Sequence, residues 1–210
     1  RLIHMNLATI QSQAYVSGIA LHTGRKTSVR LLPRHEYGIV FVRTDLNRSP
    51  AIPATTNYLD SALRRTDLRN RTARIGTVEH LLAACFGFGI GALTVEVDGP
   101  ELPIGDGSAR VWTDAMVEAG IVKDACDPPP LIRPDPVEIV RGGRWIKLRP
   151  SGAWSVTFGG RFPDGLHHEA RWTPEKDFVN ELAGARTFSP LAQVVAMRRA
   201  GLILGGSPTN

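Results

Sequence analysis

The run Asp127-Pro128-Pro129-Pro130, extended by Pro134 and Pro136, sets the firmest limit on how this chain folds. Proline fixes φ and lacks a backbone N–H, so neither a helix interior nor a central strand runs through such a cluster. Residues 127–136 therefore read as a linker between a first domain, 5–126, and a second, 137–210. Each domain has to find its own order of strands and helices on its own side of that linker.

The periodicities give both domains the same order, strands first and helices after. In the first, Thr27 to Leu32 partly alternates, and Gly38-Ile39-Val40-Phe41-Val42 is a short buried strand. Gly18 and Gly24 bracket His22 in a hairpin connection. From Thr77 to Phe86 the pattern turns helical, with Val78, Leu81, Leu82 and Cys85 on one face and Thr77 as the N-cap. Ala92 to Val97 alternates as a strand. A second helix opens at Asp106-Gly107-Ser108-Ala109, with Asp106 as its cap, and stops at Gly120. In the second domain, strands over 137–140, 145–148 and 154–158 precede one helix over 190–200, closed by Gly201.

Composition excludes several classes. The hydrophobic fraction of 42% and the charged fraction of 21% suit a globular protein with a buried core. No apolar run approaches the roughly 18 residues of a membrane span. Residues 1–4 open no secretory signal, and Met5 is the expected natural start. Cys85 and Cys126 form neither a disulfide framework nor a zinc-ribbon spacing, which points to a reducing compartment. The net charge of +5 suits a mildly basic surface, an anionic substrate, an anionic membrane surface or nucleic acid. The densest basic stretch, Arg64 to Arg74, has no interleaved aromatic residues, so nucleic acid is the weakest of these.

The chemistry centres on Glu79 and His80. As neighbours at a helix start they point about 100° apart, so they do not form an i, i+4 metal pair. One reading is that Glu79 is there for the helix dipole and His80 for a structural hydrogen bond. The other is that His80 faces a metal while Glu79 reaches its bound water. The stretch Asp98 to Ser108 reads as a constrained connection or as a loop lining a site. Leu21-His22-Thr23-Gly24 reads as a turn, His167-His168 as a solvated loop pair, and Gly205-Gly206-Ser207 as a weak anion cradle.

Taken in order, these segments resemble the zinc-dependent UDP-3-O-acyl-N-acetylglucosamine deacetylases of lipid A biosynthesis. The resemblance rests on Gly18-Ile19-Ala20-Leu21-His22-Thr23-Gly24, on Gly38 to Asp45, and on Arg74-Ile75-Gly76-Thr77-Val78-Glu79-His80-Leu81-Leu82-Ala83-Ala84. It continues through Val95 to Ile104, Asp106-Gly107-Ser108-Ala109, Ala185-Arg186-Thr187-Phe188 and Gly201 to Ser207. It implies an α+β fold of two repeated two-layer sandwich domains, each a mixed sheet against two helices, with the second incomplete. It further implies zinc-dependent hydrolysis of a 2-acetamido group with release of acetate.

By resemblance, Glu79 is the general base and His80 the first zinc ligand. Thr187 helps hold the oxyanion, and Arg186 and Phe188 lie in the substrate region. Arg149 meets the diphosphate and Phe162 lies against the uracil. The implied partner is a UDP-linked acylated amino sugar, handled by a monomer in the cytoplasm with transient contact at a membrane surface and no nucleic acid. The family's other zinc ligands and general acid come from a later His-Lys-x-x-Asp-x-x-Gly-Asp segment and a further His. This chain holds neither, and Pro208-Thr209 stands where the family carries an Asp. The expected reading is part of a longer enzyme. The alternative is a truncated, non-catalytic member that binds a nucleotide-sugar or a protein.

Overall fold

A computed structural model describes residues 7–127, 135–161, 165–174, 176–189 and 191–207. The strands of the first half are β1 (Leu7–Ile10), β2 (Ala14–Ile19), β3 (Lys26–Pro33), β4 (Gly38–Arg43) and β5 (Ala51–Pro53). After them come β6 (Leu59–Ser61), β7 (Asp67–Asn70), β8 (Ala73–Ile75), helix α1 (Glu79–Phe88), β9 (Ala92–Val97), helix α2 (Arg110–Ala119) and β10 (Ile121–Cys126). The second half holds β11 (Val137–Arg141), β12 (Arg144–Leu148), β13 (Val156–Arg161), β14 (His167–Trp172), a short α3 (Phe178–Glu181) and α4 (Leu191–Arg199).

These elements divide into two units. Residues 1–128 and 177–210 form one, and residues 129–176 the other. The first is built on a five-stranded sheet of order β2-β3-β9-β4-β5. β4 and β9 pair in parallel and the other neighbours antiparallel, so the sheet is mixed. The alternation in β9 decides its inner face. Leu93, Val95 and Val97 are fully buried, while Thr94 and Glu96 on the other face are half-buried.

Two helices accompany that sheet. α1 buries Leu81, Ala84 and Cys85 and ends at Gly89 in the left-handed region, φ 67°. α2 buries Trp112, Thr113, Ala115, Met116 and Ala119, packing on β2 and on α1. Side chains of several large types are fully removed from water here, each contributing about 1.5–3 kcal/mol of hydrophobic stabilisation. The α+β class follows directly from this mixed sheet and its helices. No helix among the described residues is long and apolar enough to cross a membrane.

The second unit holds two antiparallel hairpins, β11–β12 and β13–β14. Gly142 and Gly143 join the first, with φ of 54° and 77°. Two left-handed residues in a row are what a tight turn between right-twisted strands requires. In the second, Trp154 meets Trp172 edge to face at 5.7 Å between ring centres.

Several local expectations shift. The residue before α1 is Val78, which makes no side-chain cap, and Thr77 turns its hydroxyl elsewhere. α2 begins at Arg110, and Asp106 instead accepts from the backbone N–H and hydroxyl of Ser108, fixing the turn before the helix. His167 and His168 lie in β14, exposed but paired with Arg161 and Gly160. α3, capped by the Asp177 carboxylate on Val179 and Asn180, is too short for periodicity to reveal.

Candidate active site

The start of α1 is built by what precedes it. β8 runs into Gly76, whose N–H donates to Pro100 and whose carbonyl accepts from Leu102. A Cβ on Gly76 would lie 2.4 Å from the Asp67 carboxylate, so only glycine fits. Thr77 then takes φ +57°, a left-handed conformation that is costly for a β-branched residue. The chain reverses into α1, with the Leu82 N–H bonded to the Val78 carbonyl at 3.0 Å.

Glu79 and His80 occupy the first turn and both are half-buried. One Glu79 carboxylate oxygen accepts the Thr66 N–H at 3.0 Å, which leaves the other oxygen's lone pairs for a second donor. Burial lowers the His80 pKa, against the raising influence of the nearby Glu79 and Asp106 carboxylates. The imidazole is thus biased to its neutral form, which is the form that ligates a metal.

Beneath this turn lies a buried charged network. Glu101 is fully buried. It accepts from the N–H of His22 at 2.9 Å, the N–H of Thr23 at 2.8 Å and the Thr77 hydroxyl at 2.8 Å. The Arg65 guanidinium stands 3.4 Å away and also pairs with Asp67 at 2.8 Å. Asp67 is bridged by Arg74 as well, and Arg74 and Arg69 share Asp60. Burial alone would push the Glu101 carboxyl up, but the donors from His22, Thr23 and Thr77 outweigh it and hold it below the ordinary range. Arg65, Arg69 and Arg74 of the basic stretch are therefore paired with carboxylates, Asp67 and Glu101 buried and Asp60 exposed.

His22 is the least expected member. It is buried, and both its ring nitrogens lack a hydrogen-bond partner among the described residues. Burial lowers its pKa, with Glu101, Asp67 and Glu79 opposing and Arg65 assisting. His22 is among the residues that line a cavity of about 720 Å³, with Arg64, Arg186, Thr187, Phe188 and Ile203. Leu204 and Gly205 donate back to His22 and Leu21, fastening the segment that brings Ile203 and Gly206 to the cavity. A Cβ on Gly205 would sit 2.2 Å from the Ala20 carbonyl, so this close approach needs glycine.

The site residues expected from sequence fall as follows. Thr187, exposed, donates its N–H to Gly107 at 2.7 Å, and Arg186 Nε donates to the Asp106 carbonyl at 2.6 Å. This ties 186–188 to the 105–108 turn, whose Asp106 acts on His80. Phe188 is exposed at the cavity rim. Arg149 belongs to the other unit, where it lines a cleft of about 470 Å³ with Val137, Glu138 and Lys147. Phe162 lies outside the described residues. His22, Glu101, Asp67 and Arg65 were not singled out from sequence as a site. The available signal was an acid at 101 enclosed by Pro100, Leu102, Pro103 and Ile104, where a carboxylate has no solvated face to occupy.

A catalytic zinc takes three protein ligands. Among the described residues no group of three or more His, Cys, Asp or Glu side chains is arranged to hold a metal ion. His80 supplies one imidazole, so the described residues do not fit that ion by themselves.

Comparison with known proteins gives the family. The family model for UDP-3-O-acyl N-acetylglycosamine deacetylase matches residues 7–210. The UDP-3-O-acyl-N-acetylglucosamine deacetylase of Anaeromyxobacter dehalogenans is 37% identical over 209 residues, which is 98% of this chain and 67% of that protein. The protein of the same name from Myxococcus xanthus is 35% identical with the same coverages. That from Thermosynechococcus vestitus is 35% identical over 212 residues, covering 100% of this chain and 74% of its own. With the family match spanning every described residue and relatives above one third identity, this chain belongs to the UDP-3-O-acyl N-acetylglycosamine deacetylase family.

Proposed function

We propose that the protein hydrolyses the 2-acetamido group of UDP-3-O-acyl-N-acetylglucosamine, releasing acetate, a step of lipid A biosynthesis. The observation that carries this reading is the half-buried Glu79–His80 pair at the start of α1, in a chain whose relatives bear that activity in their names. Glu79 takes the proton of the attacking water, a role suited to a carboxylate fixed by one N–H with a free oxygen beside it. The Thr187 hydroxyl stabilises the oxyanion that forms on the acetamide carbonyl. Arg186 and Phe188 belong to the region that handles the substrate, while Arg149 meets the diphosphate and Phe162 the uracil. Zinc is the family's cofactor in this reading, and His80 is the ligand these residues contribute. Held together with further ligands, such an ion would supply Lewis-acid chemistry.

The substrate reading also covers the surroundings. Arg65, Arg69 and Arg74 spend their charge on Asp60, Asp67 and Glu101, which speaks against a free basic face for nucleic acid. A monomer acting in the cytoplasm, with transient contact at a membrane surface, is the accompanying proposal. So is a domain boundary in the 127–136 linker. A second reading, a non-catalytic member that binds a nucleotide-sugar or a protein, is favoured by the missing three-ligand cluster among the described residues.

Acetate release from UDP-3-O-acyl-N-acetylglucosamine separates the two. The first reading predicts turnover that falls about 100-fold or more in Glu79→Ala, the range for loss of a positioned base. Nucleotide-sugar binding without any acetate release would establish the second. Turnover that survives Glu79→Ala unchanged would remove Glu79 from its role.

A further inference from the structure

The left-handed Thr77 lies between Gly76 and Val78, two residues before the pair that carries the proposed chemistry. A β-branched residue does not hold φ +57° on its own. Something has to over-determine it. The Thr77 side chain makes one described hydrogen bond, from its hydroxyl to Glu101 Oε1 at 2.8 Å, and both residues are buried. Glu101 is itself pinned from other segments. The N–H groups of His22 and Thr23 hold it from the β2–β3 turn, and Arg65 holds it from the segment before β7. Gly76 pairs with the Glu101 segment in a bridge, with the Pro100 carbonyl accepting its N–H. Thr77 is therefore clamped by backbone on one side and by one carboxylate on the other.

We propose that Glu101 is a positioning residue for Glu79 and His80, holding Thr77 left-handed so that α1 begins at the turn that aims them. The inference rests on the reading of Glu79 and His80 as base and ligand, although its geometry is independent of turnover. Glu101 touches neither. It acts through Thr77, and the consequence appears one residue later, where Val78 donates to the Thr66 carbonyl and Glu79 accepts the Thr66 N–H. If Thr77 relaxed to a negative φ, Val78 and Glu79 would swing away from Thr66 together. A carboxylate suits this place better than a neutral amide. It accepts three donors and a guanidinium at once, whereas an amide would turn two of its own donors towards them.

The test is residue-resolved amide hydrogen exchange on the purified chain, with Thr77 backbone chemical shifts as the signature of its left-handed state. Glu101→Gln should speed exchange at Thr66 and Leu82 about 10- to 100-fold, as expected for losing hydrogen bonds to a buried charge. Exchange at Val95 in the central sheet should stay within about threefold, because its ladder lies outside the network. Thr77→Val and Thr77→Gly form the second arm. Both delete the hydroxyl, but only valine keeps the strain of a left-handed β-branched residue. Thr77→Val should therefore raise Thr66 and Leu82 exchange more than Thr77→Gly does, and it should lose the left-handed shifts.

Unchanged Thr66 and Leu82 protection in Glu101→Gln would overturn the proposal. So would equal effects of the valine and glycine variants. If Glu101→Gln does not fold, the valine–glycine comparison decides alone. Each of these outcomes is read without substrate, so loss of acetate release for some other reason leaves the inference standing.

Discussion

Val29 and Leu31 face Val97 and Val95 across the β3–β9 pair, and all four are at most 1% exposed. Ile139 faces Ile146 across the β11–β12 hairpin, and they are 49% and 66% exposed. Both are antiparallel pairs of β-branched and aliphatic residues. Pairing needs only a local partner, and the Gly142-Gly143 turn supplies it for β11–β12 within a few residues. Burial needs a second layer. The five-stranded sheet has helices to provide one, whereas the described residues of 129–176 contain no helix. Strand chemistry alone thus does not mark a core, and the two regions should respond to substitution very differently.

The largest difference is expected in large-to-small changes. Phe41→Ala, at a fully buried ring in β4, should cost about 3–5 kcal/mol in denaturant unfolding. Ile146→Ala should stay within about 0.5 kcal/mol. Equal costs would break the comparison. Next come the charges. Arg65→Ala would leave two buried carboxylates short of a partner, Glu101 and Asp67, and should cost about 3 kcal/mol or more. Lys147 pairs with Glu138 at 2.9 Å and stands 5.1 Å from the Trp145 ring, on an open face. Lys147→Ala should change stability by about 1 kcal/mol at most.

Acidification gives a smaller and graded effect. His22 has a lowered pKa in the folded state, so the unfolded chain binds its proton first and stability falls as pH drops below the ordinary imidazole value of about 6.5. Glu101 is also held below its ordinary value, so its contribution is present above the unfolded carboxyl range and is lost as pH falls through the folded value. Both groups lie in the unit that holds the five-stranded sheet. Amide exchange should therefore accelerate at Thr66, beside the Glu101 network, before it does at Ile139, relative to each site's own protection at pH 7. His22→Gln should remove part of the upper step and leave the lower one.

The sequence carried the parts of the fold that repeat locally. β9 and the buried face of α1 follow from periods of two and of three or four, and Gly120 ends α2 as a side-chain-free residue should. The boundaries failed where a distant group intervened. Thr77 has the composition of an N-cap, but its hydroxyl goes to Glu101, 24 positions on, and the helix starts two residues later. Asp106 similarly serves Ser108 and not α2. The Glu79–His80 pair stands out in the sequence because its residues are adjacent. The network of Glu101, Arg65, Asp67 and His22 does not, because each member looks ordinary until a turn, a loop and a strand end converge.

The most direct test of the whole account is the kinetics of acetate release for Glu79→Gln beside those of Arg149→Ala, both measured with UDP-3-O-acyl-N-acetylglucosamine. Glu79→Gln should lose kcat about 100-fold or more with substrate affinity retained, as a transition-state role requires. Arg149→Ala should raise KM with kcat nearly unchanged. A Glu79→Gln protein that turns over at the native rate would contradict the account, because the residue at its centre would then take no part in the chemistry.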